Sequence, residues 1–162
     1  VQLLMILKLL SLLMLANGTP VIARAILRDS FFRPVDGGFR FIDGQPLFGP
    51  SKTIHGIVLS VLVTSLCAPL IGLEWKIGAV MGSVAMAGDL FSSFVKRRFH
   101  LPSGSRATGL DQIPESLFPL LVCSNSLSLT ALEIAVTVVI FFIGAVLVSR
   151  LFFKFDLRDR PN

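Results

Sequence analysis

Five long apolar runs divide this chain and leave little room for a soluble fold. They extend over about Leu3 to Leu27, Gly56 to Leu73, Ile77 to Phe94, Gln112 to Leu127 and Leu129 to Phe153. A bilayer-spanning helix needs ~20 mostly apolar residues, and four of the runs come close to that length or exceed it. The fourth is the shortest, and Pro114, Glu115 and Pro119 interrupt its first half. Only 15% of the 162 residues are charged and the mean hydropathy is +0.79, against about 25% charged in soluble domains. The expected class is therefore all-α: a polytopic membrane helical bundle of about five transmembrane helices, forming a single domain over residues 1–162.

The first run has one charge, Lys8, ahead of a long apolar stretch, as a secretory signal would. It continues through Val21, Ile22 and Ala25 to Leu27, longer than an ordinary signal core. The reading is a retained helix, with a break or kink near Gly18-Thr19-Pro20. Cys67 and Cys123 fall inside apolar runs and form no metal-ligand spacing, so they read as small packing residues.

The basic residues fix an orientation. Arg28, Arg33, Arg40 and Lys52 lie before the second run; Lys96, Arg97, Arg98 and Arg106 follow the third; Arg150, Lys154, Arg158 and Arg160 close the chain. With five spans these regions share one side of the membrane. The other side has the turn around Glu74-Trp75-Lys76, where Trp75 suits headgroup depth, and the uncharged Ser124-to-Thr130 turn. The positive-inside rule then predicts an N-terminus outside, a cytoplasmic C-terminus and a cytoplasmic polar face on the inner (plasma) membrane. The cytoplasmic connections are the long ones, and the first is full of turn formers such as Pro34-Val35-Asp36-Gly37-Gly38, Asp43-Gly44 and Gly49-Pro50.

Asp89 stands near the end of the third run, where an acid costs up to ~2.5–3.5 kcal/mol at mid-bilayer and less at an interface. On a helix, Asp89, Ser93 and Lys96 share one face, Ser92 lies a turn from Asp89, and Arg97 and Arg98 follow. A carboxylate at the membrane edge thus leads through hydroxyls to cationic heads. Topology alone explains a Lys-Arg-Arg cluster at a helix end, but it does not explain the acid. A structural pairing of Asp89 with Arg97 or Arg98 is the plain alternative. Gly78 and Gly82 make a small-residue face that packs helices closely and turns Asp89 inward; a homodimer through the same face is the other use for it.

Asp111 stands where the fourth run begins, as an N-cap or as a second oxygen ligand for Mg²⁺ across the basic loop from Asp89. Ahead of the second run, Gly49-Pro50-Ser51-Lys52-Thr53 offers backbone N–H groups, two hydroxyls and an ammonium to an anion, or a capped helix start with Ser51 or Thr53 as the cap. The spacing is not that of a Walker loop. His55 has no partner at metal-ligand spacing, and His100 reads as solvated.

The segments Gly49-Pro50-Ser51-Lys52-Thr53-Ile54-His55-Gly56, Gly88-Asp89-Leu90-Phe91-Ser92-Ser93-Phe94-Val95-Lys96-Arg97-Arg98 and Gly109-Leu110-Asp111-Gln112 resemble the CDP-archaeol synthase family. That family belongs to the membrane CTP:lipid-phosphate cytidylyltransferases. The resemblance implies an enzyme that joins CTP to a lipid phosphate monoester with Mg²⁺, giving CDP-lipid and pyrophosphate. It implies metal ligation and catalysis at Asp89 and Asp111, with Lys96 also catalytic. It further implies nucleotide or phosphate contacts from Ser51, Lys52, Thr53, Ser93, Arg97 and Arg98. The expected partners are CTP, a lipid phosphate and the bilayer, and no nucleic acid.

Archaeal members typically carry an acidic or Gly-rich stretch before the Lys-Thr and an apolar–Asp–aromatic triplet after the Asp-Gln. This chain has Gly49-Pro50-Ser51 and Ile113-Pro114-Glu115 instead. Glu115 is the candidate replacement for the missing acid, and the departures look like a bacterial branch whose lipid need not be an archaeal ether. A non-catalytic lipid-binding or assembly factor would account for the basic face but leaves Asp89 and Asp111 idle. A small transporter would need ionisable residues deep in several spans.

Overall fold

The computed structural model describes residues 2–27, 33–105 and 107–154, with side chains through residue 148. Arg28, Arg106, Arg158 and Arg160 lie outside the described residues, as do the side chains of Arg150 and Lys154. Five α-helices follow in order: α1 (Leu3–Leu27), α2 (Ile54–Cys67), α3 (Trp75–Arg98), α4 (Gln112–Cys123) and α5 (Ala131–Lys154), with a short 3₁₀ turn at Pro69–Ile71 after α2. Among the described residues extended backbone amounts to two isolated bridges, Pro34 with Thr53 and Arg40 with Pro46. The all-helical class is as expected.

Two expectations about the runs are corrected, the break in the first and the end of the fourth. α1 continues through Gly18-Thr19-Pro20 as helix rather than breaking there; the Thr19 hydroxyl donates to the Leu15 carbonyl at 2.6 Å, the carbonyl one residue before the one Pro20 would have bonded. As the shared face of Asp89, Ser93 and Lys96 requires, α3 runs four residues past Phe94 and carries Lys96, Arg97 and Arg98 as its own last turn. α4 stops at Cys123 instead of Leu127, so among the described residues α1, α2 with its 3₁₀ extension, α3 and α5 are the four segments long and apolar enough to cross a membrane. At ~1.5 Å per residue α4 covers only ~18 Å. The chain after it turns through Ser128 at φ +50°, with Leu129 N–H donating back to the Ser124 carbonyl at 2.9 Å.

Short as it is, α4 still links the two ends of the bundle. Gln2, ahead of α1, donates its N–H to Glu133 at the start of α5 at 2.7 Å, so those two helix starts share one end. Lys52 ahead of α2, Asp89 near the end of α3 and Asp111 at the start of α4 share the other. Lys52, Lys96, Arg97 and Arg98 therefore gather at one end, toward which α1 and α5 both run.

An apolar core fills the bundle away from that end: Leu9, Leu12 and Leu13 of α1, Ala68, Met81 of α3, Leu120 and Cys123 of α4, and Phe141 of α5. Both cysteines are free, and Cys123 is buried as a packing residue. The outer faces keep large apolar side chains exposed, for example Val58, Leu62 and Leu66 on α2, as lipid-facing helices require. Trp75 is the first residue of α3 and is exposed, at the end opposite Lys96, Arg97 and Arg98.

Glycines set how closely α3 approaches its neighbours. A Cβ on Gly78 would overlap the Thr64 carbonyl and lie 2.7 Å from the Ala68 Cβ; on Gly82 it would meet the Thr64 hydroxyl and lie 3.1 Å from the Val61 Cα. The expected small-residue contact is thus made between α3 and α2, while Ser83 and Ala87 of the same series stay exposed. Gly88 performs the same service toward α4, where a Cβ would overlap the Pro114 carbonyl and lie 2.9 Å from the Glu115 nitrogen. Overpacking of this kind costs ~1–3 kcal/mol. Gly78→Val is expected to lower the midpoint of thermal unfolding in detergent, and Ser83→Val, on the exposed side, to leave it near the starting value.

Candidate active site

Gly88 brings α4 against the residue that follows it, and that contact defines the polar end of the bundle. The Glu115 carboxyl stands beside that of Asp89, with Lys52 and Asp111 also close enough to act on Glu115 electrostatically. Lys52 forms a direct ion pair with Asp89. Lys96 lies 2.7 Å from Asp111 Oδ1. Asp89, Ser93 and Lys96 do share the inward face of α3; Ser93 and Lys96 are buried, the latter at 5% exposure. Ser92 returns its hydroxyl to the Gly88 carbonyl at 2.8 Å and is spent within the helix.

Lys52 reaches Asp89 because the first loop is built as a clasp. Val35 N–H donates to the Lys52 carbonyl at 2.8 Å and Ile54 N–H to the Arg33 carbonyl at 3.1 Å. The Asp36 carboxylate accepts from Gly38, Phe48 and Gly49 N–H at 3.1, 3.0 and 2.9 Å. Partial burial alone would push Asp36 up, but those backbone donors outweigh it and hold the carboxyl below its ordinary 3.8. Gly49 sits at φ +94°, packed on Ser103 of the second loop, and the Ser103 hydroxyl donates to the Ser51 hydroxyl at 3.1 Å. Thr53 caps α2, accepting from Gly56 N–H at 3.2 Å. That selects Thr53 over Ser51 as the cap.

The second loop is held by the cations that end α3. Lys96 donates to the Ser105 carbonyl at 3.0 Å and Arg97 to the Pro102 carbonyl at 2.6 Å. Arg98 reaches back to the first loop, donating to the Pro46 carbonyl at 2.8 Å and lying 3.2 Å from Asp43. Its guanidinium carbon stacks 4.6 Å from the Phe41 ring centroid and 4.8 Å from that of Phe94. The alternative pairing of Asp89 with Arg97 or Arg98 is not what forms; lysines take both acids. Asp111 is also corrected as a cap. It precedes α4 in helical geometry with no side-chain cap bond, and instead accepts from Ala107 N–H at 3.1 Å, closing the second loop. His100 is exposed at φ +56°.

The donor set can be tested against a divalent ion. Among the described residues no three His, Cys, Asp or Glu side chains converge tightly enough to form a metal cage by themselves. Mg²⁺ does not require one, since it is usually held by one or two carboxylates with water and phosphate completing its shell. Asp111 Oδ1 is buried and, although Lys96 is near, accepts no well-aligned hydrogen bond. A buried carboxylate oxygen with a free lone pair is what an incoming cation needs, and Asp89 and Glu115 add oxygen donors beside it. On the anionic side, Arg97 Nε and Arg98 Nε are buried donors without partners, so neither guanidinium is saturated by the loops.

Of the residues singled out in the sequence, Lys52, Asp89, Ser93, Lys96 and Asp111 gather at this end, and Ser51 and Thr53 flank Lys52. Arg97 and Arg98 are engaged in holding the two loops. Sequence reasoning had Glu115 as a replacement acid but not as the neighbour of Asp89; the signal was Gly88 on α3 opposite Pro114 on α4. The loop pins Asp36, Asp43 and Phe41 carried no sequence signal. An apolar groove of about 430 Å³ lies elsewhere, between α4 and α5, lined among others by Leu117, Leu121, Ile134 and Val138.

Replacing Asp36 with Ala removes three backbone partners at once. Bonds to a charged acceptor contribute ~1.5–3 kcal/mol, so Asp36→Ala is expected to speed amide exchange at Phe48 and Gly49 by roughly ten-fold or more. Because the folded carboxyl titrates below its ordinary value, wild-type protection is full above pH 3.8 and is lost as pH falls through the depressed value.

Comparison with known proteins agrees with this layout. Residues 70–161 match the family described as CarS-like CDP-archaeol synthase. The CDP-archaeol synthase of Sulfurisphaera tokodaii is 31% identical over 134 residues, covering 79% of this chain and 81% of that one. Those of Hyperthermus butylicus and Saccharolobus islandicus are 36% and 35% identical, over 60% and 61% of this chain and 59% of their own lengths. A solved intramembrane enzyme for archaeal membrane lipids biosynthesis superposes with a TM-score of 0.76 at 30% identity, over 88% of this chain and 90% of the other. The chain belongs to the CDP-archaeol synthase family of membrane-embedded, CTP-dependent nucleotidyltransferases.

Proposed function

We propose that this protein transfers a cytidylyl group from CTP to a lipid phosphate monoester of the archaetidic or phosphatidic acid type, with Mg²⁺, releasing pyrophosphate. The observation that carries the reading is the pairing of two acids with two lysines at one end of the bundle, with a third acid, Glu115, beside Asp89. A set of groups balanced in this way can exchange partners. A divalent cation and a polyphosphate bring both signs of charge together, so the acids turn to the cation and the lysines to the phosphates.

In this reading a lipid phosphate oxygen forms the new bond to the α-phosphorus of CTP while the bond to the bridging oxygen breaks and pyrophosphate leaves. The lipid phosphate is already a competent nucleophile at neutral pH, so no protein nucleophile takes part. Asp89 and Asp111 hold the ion, with Glu115 in reach of Asp89. Mg²⁺, when bound, draws phosphate oxygens together and offsets their charge. Lys52 and Lys96 neutralise the departing pyrophosphate, and fixed cations aimed at developing charge are the usual source of rate in such chemistry. Ser51 and Thr53 offer hydroxyls beside Lys52, Ser93 one beside Asp89, and the unsaturated guanidinium nitrogens of Arg97 and Arg98 complete the anion-binding set.

The clustering of Lys52, Lys96, Arg97 and Arg98 at the reacting end supports a cytoplasmic active face on the plasma membrane, with the N-terminus outside. The same face would meet CTP from the cytoplasm and the lipid phosphate from the inner leaflet.

Protein in detergent supplied with Mg²⁺, CTP and a phosphorylated diradylglycerol, ether or ester, is expected to release pyrophosphate. Asp89→Asn and Asp111→Asn are each expected to slow release by ~100-fold or more while membrane insertion is unchanged. Wild-type turnover in both variants refutes the metal assignment. Absence of any CTP-dependent product with either lipid class leaves the scaffold reading instead.

A further inference from the structure

The first loop does more than present Lys52: it wraps around the end of α3. Lys52 meets Asp89 on the inward face. Further up the loop, Asp43, Pro46 and Phe41 meet Arg98, and Phe41 packs edge-on against Phe94 at 5.5 Å. Asp89 and Arg98 are about two and a half helical turns apart, hence on opposite sides of α3. Phe91, Phe94 and Arg98 share that far side at i, i+3 and i+7. Phe91 packs on Phe118 of α4 at 5.7 Å yet keeps about half its surface exposed within the apolar part of the span, so this side lies at the outer edge of the bundle, where a membrane helix meets lipid.

The loop tip therefore overhangs the lipid-facing flank of α3 at the depth where its apolar stretch gives way to Lys96-Arg97-Arg98. At that tip Ile42 is 95% exposed and Phe39 64% exposed. Arg40 between them folds back to the Gly44 carbonyl at 2.9 Å and stays exposed. Bare aliphatic and aromatic side chains flanking an arginine, held against the boundary turn of a membrane helix, suit the headgroup–acyl boundary and nothing in bulk water.

We propose that Phe39 and Ile42 seat in the interfacial layer of the bilayer that the helices cross, with Arg40 at headgroup level facing anionic lipid. This rests on the membrane placement of the bundle and not on the reaction. Anchored there, the tip fixes one end of the clasp whose other end presents Lys52, so the setting of Lys52 is tied to the lipid surface.

The test uses the chain's single tryptophan. In a Trp75→Phe background, Phe39→Trp and, separately, Ile42→Trp are reconstituted into nanodiscs of anionic phospholipid carrying bromine either high or low on the acyl chain. Blue-shifted emission, quenched more by the high bromine than by the low one, is the expected result for both. Water-like emission untouched by either bromine overturns the proposal, whatever the enzymatic activity of the same samples. Quenching lost when anionic lipid is replaced by zwitterionic lipid assigns the seating to Arg40; quenching retained assigns it to the apolar pair.

Discussion

An acid that ends an apolar helix has to be compensated where it stands. At Asp89 the compensation comes from Lys52 of the first loop, while Glu115 of α4 brings a second carboxyl against it. Each contact imposes its own requirement. The lysine requires a loop ordered enough to deliver it, and the Asp36 staple and the Arg98 pin provide that order. The glutamate requires two helix backbones nearly in contact, and Gly88 against Pro114 provides that. Removing the carboxylate from position 89 would leave most of the polar end without a reason for its geometry.

The basic residues divide by chemistry. Arg97 and Arg98 hold backbone carbonyls of the second and first loops, and Arg98 also stacks on two rings. A planar, pre-oriented fork is suited to such fixed work. Lys52 and Lys96 face the acids as compact point charges on flexible stems. An ammonium with three donors can trade one anion for another, even while Lys96 keeps its bond to the Ser105 carbonyl of the second loop. In the proposed reaction the arginines keep the loops while the lysines move between carboxylate and phosphate.

How much of this was legible in the sequence depends on the range of each interaction. Apolar runs are local, so the helix positions could be read, and the i, i+4, i+7 stripe of Asp89, Ser93 and Lys96 followed from helical period alone. The gathering of Lys52 with Lys96, Arg97 and Arg98 at one end followed from counting spans. The partners of the acids could not be read that way. Lys52 and Asp89 are 37 residues apart, and nothing in either segment says that lysines rather than the adjacent arginines will take the carboxylates. The end of α4 was misjudged because Leu127 and Leu129 extend the apolar run through residues that turn.

The shortness of α4 has a physical consequence for the polar end. Its first turn carries Pro114, which has no N–H to give, and Pro119 removes another donor further along. A helix so interrupted gains little from length, and its residues are better used in contact: Pro114, Ser116, Pro119 and Leu120 are buried. With α3 offering Gly88 rather than a side chain, the first turn of α4 lies on α3 instead of beside it. A longer, regular helix with a larger residue at 88 would span the bilayer more comfortably. It would also hold Glu115 away from Asp89.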